Sequence, residues 1–430
     1  MRSLHITVAA AFLAAAPVPS AAAQGSLASR VAQARDGVVR LQYEARAGVC
    51  GDGHDMVGYK QAMFARSFES YGRWSNAHCA PGPLRVTASV SGGRVTRVET
   101  QVGGAWPRAE GTVTDLGTVA AHDASAFFFS LIPTLEATQS NRDRLLLPAV
   151  LADGAPVIAP LLTLARDTER TERTRRQAVQ WLGLVGDASV IPPLTQFARQ
   201  GSGGDSDGKG ISSAAVAALS SLEDNAGIPA LLDLSRDGSS SLRYTTAFWL
   251  GQNADPRALR RLHQMIEDRN EEERVRAQAV FGLAHGDQVS SAEFQYLRDV
   301  YARLEGDKLK EAVLFAMTED DVAGGRWLIQ RARDQSEPYK TRKSALFWAG
   351  QREATPTSEL LGVFRDADDS ALREHAIFVL SQRQDEQATD ALIRIARGDG
   401  DTKMRGKALF WLAQRKDPRV TKLITDLITR

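Results

Sequence analysis

Asp52, His54, Asp55 and His78 all lie close to the chain's two cysteines, Cys50 and Cys79. Imidazoles and carboxylates are common zinc ligands, so a metal-assisted reaction would have its groups here. Their spacing matches no zinc signature, and polar, glycine-rich loops beside a cystine are common without any site. The reading is therefore of no metal, no cofactor and no catalytic residue. An enzyme, or a metal-dependent accessory protein with its site in this N-terminal region, stands as the alternative. Asp205 and Asp207 invite a calcium reading, but the surrounding run lacks the full loop pattern with its terminal Glu. No His-Glu-x-x-His pair or phosphate loop occurs in the sequence.

The two cysteines point to a compartment. Arg2 precedes an apolar run from Ile6 to Ala16, and Ala21-Ala22-Ala23 supplies small residues where a signal peptidase would cut. Residues 1–23 are expected to be a cleaved signal peptide. The run is too short to span a bilayer, which takes about 20 residues. No Cys follows the cleavage region, which speaks against a lipoprotein anchor. The expected location is periplasmic or secreted, where Cys50 and Cys79 would pair as a disulfide. The 53 basic and 52 acidic side chains nearly cancel. A nucleic-acid binder needs a basic face to meet phosphates, so that class of partner is not expected.

Residues 24–120 are expected to form a small β or α+β domain. Val38–Tyr43 reads as a strand. Leu84–Val90 and Arg94–Val102 alternate β-branched with polar residues across Ser91-Gly92-Gly93, a hairpin pattern whose glycines suit the turn. Ala121–Glu136 reads as the first helix of a long helical region, with Phe127, Phe128 and Phe129 on its apolar side.

From there to the end, residues 121–430, the chain repeats itself. Arg243–Gly251, Arg342–Gly350 and Arg405–Ala413 match position for position, and the same frame fits segments that start at Arg144, Arg175, Ser212, Arg276, Lys310 and Arg373. These nine copies are spaced 31 to 37 residues apart. A second apolar-periodic stretch follows each copy, as after Asp255-Pro256 and Asp417-Pro418. Asp caps the free N–H groups of a first helical turn, and Pro is tolerated at its first position. Each unit is thus two helices, and stacked units bury for each other the face that one alone would expose. Gln200–Gly210 lengthens one unit with a run free of apolar side chains, expected to be a flexible surface loop.

Leu242-Arg243, Val275-Arg276, Leu372-Arg373 and Met404-Arg405, with Leu182-Gly183 and Leu250-Gly251 at the helix ends, resemble the HEAT-repeat family, in particular its short variant found in phycobilisome-lyase-like proteins. The resemblance implies an all-α right-handed superhelical solenoid of HEAT/ARM type, with nine recurrent inner helices lining its concave side. It also implies that the recurrent basic residue, present in eight of nine copies, pairs with Asp side chains of the preceding loop such as Asp237, Asp268, Asp334 and Asp399.

With the recurrent Arg as position 0 and 100° per residue, positions −1, 3 and 7 face the partner helix, and position 5 points away from it. Position 5 is polar in the usual family pattern. Here it is Phe248, Phe281, Phe315, Phe347, Phe378 and Phe410, with Gln252, Gln351, Gln382 and Gln414 at position 9 beside four of them. At helix spacings of 8–10 Å such a row runs roughly 40–50 Å. An exposed apolar strip of that length marks an interaction surface. Rings hold apolar side chains and amides pair with backbone, which suits a protein or peptide ligand. The competing reading is that the rings pack on one another as core. The function expected is an exported scaffold rather than an enzyme. A self-associating envelope component is a further alternative, and the sequence leaves the oligomeric state open.

Overall fold

A computed structural model describes residues 25–60, 62–64, 79–109, 111–138, 144–200, 210–253, 255–286, 289–398, 401–415 and 417–428. The expected signal peptide, His78, Asp205, Asp207, Asp399 and most of the Gln200–Gly210 run lie outside them. The chain divides into two compact units that meet between Ala178 and Val179, inside the helix Glu172–Val185.

The first unit is built on a four-stranded sheet in the order β6-β5-β1-β7, where β1 is Gly37–Tyr43, β5 Leu84–Ser91, β6 Arg94–Val102 and β7 Val113–Thr118. β1–β5 and β5–β6 are antiparallel, and β7 runs parallel to β1. The expected hairpin is present. Gly92 and Gly93, at φ +57° and +69°, make its two-residue turn, a conformation β-carbon-bearing residues resist. Alternation sets the faces: Val39, Leu41, Tyr43, Leu84, Val86 and Ala88 are buried on one side. A smaller sheet joins β2 (Val49–Gly51), β3 (Val57–Tyr59) and β4 (Ala62–Phe64). The Cys50–Cys79 disulfide is formed, with Cα atoms 5.1 Å apart, and an antiparallel bridge pairs Gly51 with Ala80 beside it.

The helix Ala121–Thr138 packs on this sheet, whereas the sequence placed it at the head of the helical stack. Its Phe128 ring stands 6.2 Å from that of Tyr43, and its Ser125 hydroxyl donates to the Ala149 carbonyl at 2.7 Å. The first of the nine recurrent frames also belongs here. At Arg144 the frame yields only the four-residue helix Leu147–Val150, all of it buried. Pro148 denies this segment a helical N–H. The Arg144 guanidinium donates to the carbonyls of Asp55 and Thr100, so the residue serves the β-rich unit instead of a repeat.

The other eight frames are helices of ten residues or more among the described residues. In the second unit, Ile211–Ser220, Ser240–Gly251, Glu273–Ala284, Asp307–Ala316, Tyr339–Gln351, Ser370–Gln382 and Thr402–Leu412 pack each on the next. Between them run Ile228–Leu234, Pro256–Glu267, Ser291–Tyr301, Gly324–Arg333, Thr357–Asp366 and Glu386–Gly398 as a second layer. The frame's geometry holds: at positions −1, 3 and 7, Leu242, Thr246 and Leu250 are buried, as are Val275, Ala279 and Leu283, and Leu372, Ala376 and Leu380. The Leu-Gly element marks close approach. A β-carbon on Gly251 would stand 2.0 Å from the Gly282 carbonyl oxygen.

Candidate functional site

None of the six position-5 phenylalanines is buried. Phe248, Phe281, Phe315, Phe347 and Phe378 are half-buried, and Phe410 is 59% exposed. Helical periodicity explains this, since the residues that turn toward the partner helix are at −1, 3 and 7. The rings nevertheless touch. Phe248 stacks on Phe281 at 6.0 Å, and Phe281 on Phe315 at 6.3 Å with the planes 1° apart. The rings thus pack on one another while each keeps part of its surface in solvent.

Two kinds of residue complete the row. Trp348 meets Phe315 edge-on at 4.8 Å, and Trp411 meets Phe378 at 5.7 Å, so the position-6 indole of one repeat rests on the ring of the repeat before it. Trp348 also donates Nε1–H to Glu311 Oε1 at 2.8 Å. His285, at position 9 where other repeats carry Gln, lies between rings, 3.9 Å from Phe281 and 5.4 Å from Phe315. The sequence reading followed the Gln residues and passed over this imidazole, although it occupies the same frame position. His375, three residues before Phe378, stacks on that ring at 5.6 Å. Burial, then the positive charge of Lys343, pushes its pKa down to about 4, and its Nε2 is buried without a partner.

The amides sit beside the rings. Gln351, Gln382 and Gln414 are exposed, and Gln252 is half-buried with its Nε2 unpaired. The Gln382 amide donates to Ser381 Oγ at 3.2 Å, and that of Gln414 to the Phe410 carbonyl at 3.4 Å.

The recurrent basic residue is structural, but its partners differ from those expected. Arg175, Arg276 and Arg342 donate Nε–H to the carbonyls of Ala165, Ile266 and Ala332, each ten residues earlier, at 2.9–3.1 Å. Arg243 forks onto Glu271 of the following loop at 2.7 and 2.8 Å, and Lys310 reaches Glu337 at 3.6 Å. Asp237, Asp268 and Asp334 instead accept from the main-chain N–H two residues on, holding their own turns. Two of these carboxylates are also taken by other guanidiniums, Asp237 by Arg199 at 3.4 Å and Asp334 by Arg331 at 2.9 Å.

A second arginine series escaped the sequence reading. Arg352, Arg383 and Arg415 stand at position 10 of three consecutive frames. Each caps carbonyls at the end of the preceding inner helix: Arg352 those of Met317, Thr318 and Asp320, Arg383 those of Arg352, Glu353 and Thr355, and Arg415 those of Leu380, Ser381 and Arg383. A cation at a helix C-terminus meets both the free carbonyls and the negative end of the dipole. The signal was present as a Gln-Arg pair repeated at 351–352, 382–383 and 414–415.

In the first unit, Asp52 accepts from the N–H groups of His54 and Met56, both at 2.9 Å, and so closes the turn between β2 and β3. His54 is exposed. Among the described residues no three His, Cys, Asp or Glu side chains are placed to hold a metal ion, and no helix is long and apolar enough to cross a membrane.

Comparison with known proteins bears on the helical part. A family model of HEAT repeats matches residues 158–246 and 228–318. No curated protein matches the sequence. Among solved structures, human deoxyhypusine hydroxylase in complex with glycerol is 18% identical, covering 57% of this chain and 91% of its own, with a TM-score of 0.26. The complex of CpcE and CpcF of phycocyanin lyase from Nostoc is 15% identical over 55% of this chain and 92% of its own, at 0.29. Yeast importin-beta is 13% identical over 72% of this chain and 47% of its own, at 0.34.

Proposed function

We propose, on the premise that the helical region of this chain is built of HEAT repeats, that it is an exported scaffold which binds a protein or peptide along the aromatic row of its inner helices, without chemistry of its own. The observation that carries this reading is the accessibility of the row: six phenylalanines in register, none buried, on a side of the helices that the fold does not need for its core. Rings already stacked on neighbouring rings have little freedom left to lose when a ligand arrives, which is what makes an aromatic anchor efficient. The exposed Gln351, Gln382 and Gln414 beside them offer donors and acceptors to an extended backbone. A formed disulfide in the first unit supports the export part of the reading, since such bonds persist in oxidising compartments.

The test is capture from the envelope fraction of the source cell, followed by mass spectrometry. Phe347→Asp with Phe410→Asp places two charges in the row. We expect the variant to keep its helical circular dichroism and to lose the proteins that the wild type retains. Unchanged capture by the folded variant overturns the row as the binding surface. Solution mass distinguishes a monomeric binder from self-association through the same strip.

A further inference from the structure

A cleft of about 480 Å³ opens beside the second-layer helices Gly324–Arg333 and Thr357–Asp366, lined among others by Gly325, Arg326, Arg352, Ala354, Thr355 and Pro356. Two buried polar atoms in its wall have no partner, Arg352 Nε and Thr355 Oγ1. These residues are 8% and 2% exposed. A buried donor left without an acceptor is costly, so two in one wall call for an explanation. Both lie against Gly325: a β-carbon there would stand 2.6 Å from Thr355 Oγ1 and 3.6 Å from Arg352 Nε.

The neighbouring repeat shows what this position accepts. Arg383 is the counterpart of Arg352, capping the same kind of carbonyls, and its Nε–H donates to Asp385 Oδ2 at 2.7 Å. Asp385 also accepts from Ala388 N at 2.7 Å, capping the helix Glu386–Gly398, and from the Thr357 hydroxyl at 3.2 Å. It stands at position 12 of its frame. Asp187, Asp255 and Asp417 stand at the same position and cap their own helices, accepting from the N–H groups of Ser189, Arg257 and Arg419. In the Arg342 frame that residue is Ala354. One missing carboxylate accounts for two local irregularities, Arg352 Nε without an acceptor and the helix Thr357–Asp366 without a side-chain cap, its N-cap being Pro356; the unpaired Thr355 Oγ1 lines the same cleft.

We propose that the cleft binds a small oxyanion, a carboxylate or a phosphate, one oxygen of which takes the place that the Asp385 carboxylate holds in the next repeat. The charges around the cleft agree. Arg326 is exposed at its mouth and makes no ion pair among the described residues. Glu359 is engaged by Arg333 at 3.2 Å. Among the described residues Asp321 makes one ion pair, to Arg352 Nη2 at 3.5 Å, with a side chain 97% exposed. A helix N-terminus adds its own preference for negative charge.

The test is thermal unfolding of the full chain, titrated separately with inorganic phosphate and with acetate at constant ionic strength against chloride. The wild type is expected to show a saturable rise in midpoint with an oxyanion and none with chloride, and the stronger of the two arms identifies the ligand's head group. Ala354→Asp supplies the carboxylate internally: its midpoint in chloride should exceed that of the wild type, and neither anion should raise it further. Thr355→Val keeps the side chain's shape, and should weaken the anion's apparent affinity about tenfold, the worth of one hydrogen bond to a charged group. No saturable effect in the wild type overturns the proposal, as does an undiminished effect in Ala354→Asp. Should Ala354→Asp fail to fold, an unchanged response in Thr355→Val overturns it alone.

Discussion

At the scale of single residues, one imidazole packed on the aromatic row makes stability depend on pH. His375 is half-buried against Phe378, near Lys343, with its pKa pushed down to about 4 by burial and then by that positive charge. The unfolded chain, with an ordinary histidine near 6.5, binds this proton more readily than the folded one. The stability that depends on neutral His375 is therefore complete above about pH 6.5 and falls as pH drops toward about 4. Discounted for solvent screening, the loss is on the order of 2 kcal/mol. His375→Gln should flatten the stability profile between about pH 4.5 and 7 in urea denaturation; a wild-type slope in the variant would show that other groups set it. The position-10 arginines make a second residue-scale prediction. Arg383 holds three carbonyls and the Asp385 carboxylate, whose pKa is raised by desolvation but lowered on balance, chiefly through its bond to Arg383. Arg383→Lys keeps the charge but not the planar fork, and should cost about 1–3 kcal/mol, most of the loss expected for Arg383→Ala. A lysine variant as stable as wild type would mean that charge alone suffices.

At the scale of the element, the glycines that end the inner helices fix how near neighbouring repeats approach. A β-carbon on Gly282 would stand 2.6 Å from the Ala247 carbonyl oxygen, within the helix Ser240–Gly251. Backbone cannot step aside as a flexible side chain can. Gly282→Ala is thus expected to destabilise by about 1–3 kcal/mol, despite alanine's better helix propensity. Calorimetry on the variant checks the sign, and a gain in stability would show that the contact relaxes freely. These helices were legible in the sequence because their apolar positions recur at −1, 3 and 7, a period that only a helix can bury on one side. The frame misled at Arg144, where Leu147 and Leu151 fall at positions 3 and 7 but Pro148 and the carbonyls of Asp55 and Thr100 decide the outcome. The exposure of the phenylalanines followed from position 5. Their stacking, and the place of His285 between two of them, did not, because contacts across repeats depend on a spacing that no single helix encodes. The partners of the recurrent arginine were misplaced for a related reason: the carboxylates near in sequence close their own turns, and Asp237 and Asp334 pair with Arg199 and Arg331 instead.

At the scale of the molecule, two sources of order are at work. In a stack of repeats each unit is supported by its immediate neighbours, so stability is close to a sum of local terms. The β-rich unit has a covalent tie in addition. Its disulfide closes a loop across 29 residues of sequence separation and anchors the segment through Ala80, whose bridge to Gly51 brings it beside β2. By loop entropy such a closure contributes roughly 3–4 kcal/mol, acting mainly on the unfolded chain. Reduction should accordingly loosen the sheets before it touches the helices. Hydrogen exchange on the intact protein, with and without dithiothreitol, is the measurement. Faster exchange is expected in Val49–Gly51, Val57–Tyr59 and Leu84–Val102, with the helices from Ser240 to Leu412 unchanged. Protection lost equally in both regions would mean that the chain unfolds as one cooperative body and that its repeats do not stand on their neighbours alone.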